Sequence, residues 1–326
     1  MSRGHLQRQS LLKLRALPQR PVVAVVAPAS SAQPQRIKEG AAALEQRGWQ
    51  LRFMPHARGR YAPFFSATPA ERAADLHAAF ADPAIDAIIC TRGGYGTNYL
   101  LPLLDLDLIA AHPKPLLGYS DMTAIQTWLL DRVGLASFHA PMLAADFYLP
   151  DGVDEFSLAD VLSGSTHVYG EAEGLRTLRP GHAAGRMHGG CLTLLTASLG
   201  TPYAAATEGC LLFIEDVGVK PYQFDRMLRQ MWLAGKFEGV TGVVFGEMHG
   251  CVSPGAQDRL IEGAILHALD GFAGPIAIGL RSGHVSRANV TLPLGMQASL
   301  VASDSPGQTQ LQLLEPAVLA GTVVRS

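Results

Sequence analysis

With 326 residues, 48% of them apolar and 17% charged, the chain is long enough for two well-buried domains and too apolar for extensive disorder. A formal net charge of −2, with no basic stripe and no RNA-binding motif, removes the electrostatic case for a nucleic-acid partner. No run approaches the roughly 18 apolar residues of a membrane span, so no membrane association is expected.

Arg3, Arg8, Lys13, Arg15 and Arg20 all precede the first acidic residue. Lys13 interrupts Leu11-Leu12 and no apolar core of a secretory signal follows, so residues 1–20 read as a basic, flexible N-terminus on a soluble cytoplasmic protein. Cys90, Cys191, Cys210 and Cys251 are far apart and form no C-x-x-C pair. They read as small buried residues in a reducing compartment. The eleven histidines include no H-E-x-x-H, and neither a metal nor another cofactor is expected.

Pro21 to Pro28 encloses a continuous apolar run, the pattern of a strand buried on both faces. Gln35 to Arg47 has helical spacing, with Ile37, Ala41 and Leu44 on one face and Gly48 as the stop. Trp49 to Met54 reads as a strand, and Thr68-Pro-Ala-Glu71 opens a helix to about Phe80 with cap, proline and capping-box glutamate in place. Ile85 to Cys90 is a strand that runs into Thr91-Arg-Gly-Gly-Tyr-Gly-Thr97. That loop lets backbone N–H groups approach an anion, but it lacks the G-x-G-x-x-G spacing of a dinucleotide site. A helix is expected over Asn98 to Leu108.

Pro115 to Tyr119 is the next strand, followed by Ser120-Asp121 and a helix from Thr123 to Val133. Ser120 reads either as a cap for that helix or as a nucleophile presented at the carboxyl edge of a sheet. Alternation of strand and helix predicts an α/β fold, with a doubly wound parallel-sheet domain over residues 21–147. Residues 148–183, with a short helix from Glu155 to Leu162, read as an interdomain connection. Residues 184–326 read as a second α/β domain, with a helix over Cys191 to Leu199 and strands at Leu211–Ile214, Gly242–Phe245 and Pro275–Ile278. Further helices are expected at Pro221–Met231 and Gln257–Leu269.

Two of these later strands end in reactive side chains, Glu215 and His284. With Ser120 they supply the nucleophile, the base and the orienting carboxylate that acyl transfer needs, all on strand ends. Each alone has an ordinary reading: Glu215 as a cap or a partner of Arg226 or Lys220, and His284 as a loop histidine.

Several spaced segments together resemble the LD-carboxypeptidases, or murein tetrapeptide carboxypeptidases, from about Val22 to Ala298. They are Arg92-Gly-Gly-Tyr-Gly96, Gly118-Tyr-Ser-Asp121, Phe138-His-Ala-Pro141, Gly189-Gly190 with Leu192 to Leu195, Phe213-Ile-Glu-Asp-Val217, Pro221-Tyr222 with Asp225 to Leu228, and Gly283-His284 with Asn289 to Gly295. The resemblance implies an active site at the interface of the two domains, with Ser120 as nucleophile, His284 as base and Glu215 as its orienting acid. It also implies an oxyanion hole from backbone N–H groups at Gly94 and Asp121. Arg92, Tyr95 and Arg287 are the candidate substrate contacts. Val219-Lys220 and Gly190-Cys191 depart from the family's usual Gly-Glu and Gly-Gly-Asn, which bears on specificity and not on the three catalytic positions.

The reaction so implied is release of terminal D-alanine from a muropeptide tetrapeptide during peptidoglycan recycling. The partner is then a small peptide, and a homodimer is an allowed assembly. A microcin-immunity-type peptidase acting on peptidyl or aminoacyl nucleotides is the alternative within the same chemistry. A non-catalytic two-domain binding protein is the alternative outside it.

Overall fold

The computed structural model describes residues 9–251 and 259–319. The first half runs β1 (Val22–Val26), α1 (Pro34–Gln46), β2 (Gln50–Phe53), α2 (Pro69–Ala81), β3 (Ala87–Cys90), α3 (Leu106–Ala111), β4 (Leu116–Gly118), α4 (Thr123–Val133) and β5 (Ser137–His139). The chain continues through α5 (Glu155–Ser163), β6 (Val168–Tyr169), β7 (Arg176–Arg179), β8 (Gly181–Cys191), α6 (Leu192–Ala197), β9 (Cys210–Glu215), α7 (Pro221–Leu233) and β10 (Gly242–Gly246). It closes with α8 (Arg259–Ala268), β11 (Ile276–Leu280), β12 (Leu292–Leu294), β13 (Gln297–Ala302) and β14 (Gln310–Leu313).

The first sheet has the order β12-β5-β4-β3-β1-β2, parallel except for β12. Val23–Val26 and Ala87–Cys90 are fully buried, as their unbroken apolar runs require of strands covered on both faces. The second sheet has the order β6-β14-β13-β8-β9-β10-β11-β7, with β8 to β11 parallel and antiparallel strands on both flanks. In both sheets the loops beyond the carboxyl ends of the parallel strands gather on one edge, where open α/β sheets bind ligands.

Helix α2 starts as its sequence dictates. Thr68 Oγ1 accepts from Glu71 N at 3.3 Å, and Glu71 Oε2 accepts from Thr68 N at 2.9 Å. Elsewhere three expectations need correction. Asn98 to Leu108 is not one helix: it forms two 3-10 turns, Thr97–Tyr99 and Leu101–Leu103, before Asp105 caps α3 through Leu108 N. Pro102 lacks the N–H that a continuous helix would use there.

The basic N-terminus is not a free tail over its described part. Leu14 is buried, and the backbone of Leu12, Ala16 and Leu17 donates to Gly134 O, Leu319 O and Leu162 O. The apolar positions between the charges supply that packing. Nor is the domain boundary sequential, because β6 and β7 from the expected connection join the second sheet and β12 from the second half completes the first. One hydrophobic core accordingly runs from Val23 through Phe213 to Leu313, and a second lies beneath α7 and α8. Gln257 and Asp258, expected in the helix before Leu269, lie outside the described residues. All four cysteines are buried, and none forms a disulfide.

Candidate active site

Strand β4 delivers Ser120 to the carboxyl edge of the first sheet, in a backbone conformation that few side-chain-bearing residues adopt, φ +65°. The cap position of the Ser120–Met122 turn falls on Tyr119, with Ser120 the first residue inside it, so helix capping does not account for Ser120. The Asp121 N–H next to it has no intrahelical acceptor, being in the first turn. Asp121 is anchored from the other side: its Oδ2 accepts from Thr97 N at 2.8 Å and its carbonyl accepts from Thr97 Oγ1 at 2.6 Å. Burial raises the Asp121 carboxyl pKa against the pull of those Thr97 bonds.

The same bonds bring the Arg92–Gly96 loop under the serine. A Cβ placed on Gly93 would lie 2.7 Å from Ser120 Cβ and 3.3 Å from Asp121 N, so only glycine allows this approach. Gly94, the glycine singled out from sequence, packs instead on Ser30, where a Cβ would meet Ser30 Oγ at 2.4 Å.

Glu215 ends the fully buried strand β9 and meets the loop after β11. His284 Nδ1 donates to Glu215 Oε2 at 2.8 Å and His284 N donates to the same oxygen at 3.1 Å. Burial by itself raises the Glu215 pKa, but the charge of His284 and the imidazoles of His139 and His284 outweigh it, and the carboxyl is held well below its usual range. For His284, burial lowers the pKa, yet the charge and hydrogen bond of Glu215, with Asp216 and Asp146 beyond, raise it above the ordinary 6.5. An ionised carboxylate only accepts, so the Nδ1 proton is fixed and Nε2 is left for a hydroxyl.

Ser120 Oγ makes no hydrogen bond to another described residue, but its neighbour Tyr119 stands edge-on to the His284 ring with centroids 5.0 Å apart. The residue next to the serine thus touches the imidazole across the two sheets, with the base oriented from behind by Glu215. That set can deprotonate a hydroxyl, attack a carbonyl and return the proton to a leaving amine.

Sequence reasoning missed the groups that brace this arrangement. Asp146 is buried and accepts from Met142 N at 2.8 Å, Asn289 Nδ2 at 3.1 Å and the Tyr119 hydroxyl at 3.3 Å. Burial pushes its carboxyl up to about 7 in spite of these donors. Asn289 Oδ1 in turn accepts from Gly283 N at 2.9 Å, tying the His284 loop to the first sheet. His139, at the end of β5, lies behind Glu215. His139 and Asn289 both fall in recognisable sequence segments, and strand-end placement was the available signal for His139.

The expected substrate contacts do not converge. Arg92 is exposed on the loop beneath Ser120. Tyr95 is 43% exposed and joins Phe64, Phe65 and Tyr99 in an aromatic cluster with centroids 4.8 to 6.0 Å apart. Arg287 lines a separate cavity of about 400 Å³ with Glu247, Arg176 and Arg281, whose lining includes neither Ser120 nor Arg92. Lys220 is exposed before α7, and Cys191 is buried with its N–H on Thr123 Oγ1 at 3.0 Å. Among the described residues, no group of three or more His, Cys, Asp and Glu side chains is placed to hold a metal ion, and no helix is long and apolar enough to cross a membrane.

Comparison with known proteins gives a consistent picture. The family model for the LD-carboxypeptidase N-terminal domain matches residues 23–140, and that for the C-terminal domain matches residues 184–300. The chain is 34% identical over 310 residues to a probable murein peptide carboxypeptidase of Bacillus subtilis (strain 168), covering 94% of this chain and 97% of that one. It is 31% identical over 289 residues to the murein tetrapeptide carboxypeptidase of Pseudomonas aeruginosa, covering 85% and 92%. Among solved structures, a mutant of the microcin C7 self-immunity protein MccF in complex with adenosine monophosphate matches with a TM-score of 0.85 at 26% identity, over 94% of this chain and 100% of that one.

Proposed function

Since the chain belongs to the LD-carboxypeptidase family and is a serine-type carboxypeptidase, we propose that it hydrolyses the L,D-peptide bond of a muropeptide tetrapeptide, releasing terminal D-alanine during cytoplasmic peptidoglycan recycling. The observation that carries the proposal is the Glu215–His284 pair, its carboxylate buried and its imidazole against Tyr119, the residue before Ser120, which is held at φ +65°. Ser120 Oγ attacks the carbonyl carbon before D-alanine while His284 Nε2 takes its proton. The oxyanion is received by the Asp121 N–H and a backbone N–H of the Gly93–Gly94 segment. Collapse expels the D-alanine amine, protonated by His284, and leaves the tripeptide as an ester on Ser120. Water activated by the same imidazole then hydrolyses the ester.

The substrate's terminal carboxylate needs a cationic or N–H partner. Arg92, on the loop that reaches Ser120, is better placed for it than Arg287. Incubation with a muropeptide tetrapeptide should release D-alanine. Ser120→Ala should reduce that release by at least about 10³-fold with folding intact, and retained turnover would sink the nucleophile assignment.

A second reading, cleavage of a peptidyl or aminoacyl nucleotide, is favoured by two observations. One is the likeness to the nucleotide-bound MccF. The other is the exposed rings of Phe64, Tyr95 and Tyr99 beside the glycine loop, since aromatic faces can stack on a base. Efficient cleavage of an acyl-nucleotide with no D-alanine from tetrapeptide would make this second reading the function.

A further inference from the structure

Behind the Glu215–His284 pair stands a second imidazole that the reaction above does not use. His139 is fully buried at the end of β5, on the side of Glu215 away from His284 Nδ1. Its Nε2 lies 3.7 Å from Glu215 Oε1. Neither atom has a hydrogen-bond partner elsewhere, although both are sealed from solvent. Oε2 is already engaged twice, by His284 Nδ1 and His284 N.

The packing allows this stack only because residue 283 is glycine. A Cβ there would lie 2.7 Å from both Glu215 Cδ and His139 Cε1. Tyr119 and Phe213 flank the second ring at centroid distances of 5.7 and 5.0 Å, and their hydrocarbon excludes water from the gap.

The proton on His139 can be placed from its other nitrogen. Ser282 Oγ lies 2.9 Å from Nδ1 and 3.4 Å from the carbonyl of His139. If the hydroxyl donates to Nδ1, the neutral ring carries its hydrogen on Nε2. If the hydroxyl donates to the carbonyl, Nδ1–H donates to Ser282 Oγ, and a bare Nε2 would set a lone pair against a buried carboxylate. The first arrangement is therefore the favourable one, with Nε2–H aimed at Oε1.

We infer that His139 is a positioning residue, which offers Nε2–H to Glu215 Oε1 and so keeps the carboxylate turned with Oε2 toward His284. The inference rests on the reading of Glu215 and His284 as the oriented base. Without the second imidazole the carboxylate would have one bare buried oxygen, which is unfavourable, and only the His284 bonds would fix its plane. With it, each oxygen has its own imidazole. Removing a donor from Oε1 makes the carboxylate more basic, which strengthens its hold on the His284 proton. The other groups facing His284, namely Asp216, Asp146 and the edge of Tyr119, stay as they are.

The test is NMR on the full chain with ¹⁵N-labelled histidine, which needs no substrate. The wild type should show His139 protonated on Nε2. His139→Phe keeps a ring but no donor, and should move the His284 midpoint upward by about half a pH unit or more. His139→Gln, which restores an N–H, should bring the midpoint back toward the wild-type value. A bare Nε2 on His139 in the wild type overturns the proposal even if the Phe variant fails to fold. An unmoved His284 midpoint in a folded Phe variant overturns it as well. Retention of activity by Ser120→Ala would instead strike the catalytic reading and leave the His139 tautomer as measured.

Discussion

Holding Ser120 at φ +65° costs on the order of 1–3 kcal/mol, which the Thr97–Asp121 bonds and the close approach of Gly93 offset by fixing the turn from outside. The electrostatics at the next residues set the pH response. The proposed mechanism needs neutral His284, and its pKa is raised above 6.5, so the acidic limb of kcat/KM should fall above pH 6.5. A limb below that value would contradict the pairing with ionised Glu215. For stability the two partners act in opposite directions. His284, with a raised pKa, stabilises the fold below 6.5, and that contribution is lost as pH rises through its folded value. Glu215, with a lowered pKa, stabilises it above 4.5, and that contribution is lost as pH falls through its folded value. Both contributions are present between 4.5 and 6.5, so the Tm deficit of Glu215→Gln should be greatest in that window and shrink at higher pH. An equal deficit at pH 5.5 and pH 9 would count against this account. Ser120, Glu215 and His284 stood out in sequence as a candidate set because each lies at or just beyond the end of an apolar strand, and the family resemblance joined them. His139 and Asp146 did not, because what distinguishes them is burial against partners more than 70 residues away in the chain.

Local signals fared best where one element carries its whole signal within itself. Helix α2 is such a case, with cap, proline and glutamate inside four residues. Thr68→Ala should lower stability by about 1 kcal/mol and leave the acidic limb in place, measured by denaturant titration and a pH–rate profile. The Asn98–Leu108 segment shows the opposite behaviour. Its leucines satisfy a helical pattern, but Pro102 and the Asp105 cap divide it, and the turn from Gly96 is set by Thr97 reaching Asp121 rather than by helix propensity. Strands β12 to β14 went unread for a related reason. Although β13 and β14 pair with each other, what places all three in the sheets is pairing with β5, β8 and β6, distant in sequence.

At the scale of the whole molecule, the chain is two sheets with an exchanged strand. Leu292 pairs with His139 and Leu294 with Ser137, so residues 9–147 alone would leave β5 as an apolar, unpaired edge. That fragment should aggregate or fail to give a cooperative transition, whereas the full chain should unfold in one step through its shared core. A soluble, cooperatively folding 9–147 fragment would refute this. The class of fold and the reactive strand ends could be read from alternation of elements, but alternation says nothing about a strand that crosses between sheets.

The exchanged strand also bears on how the enzyme can move. The segment carrying His284 leaves the second sheet at Leu280 and docks on the first at Leu292, with Asn289 hydrogen-bonded to Asp146 on the way. It works as a tether between the two halves. A clam-shell opening would have to stretch the tether or peel Leu292 from His139. The tether thus favours substrate entry and product escape by shifts of surface loops over a wholesale parting of the two halves.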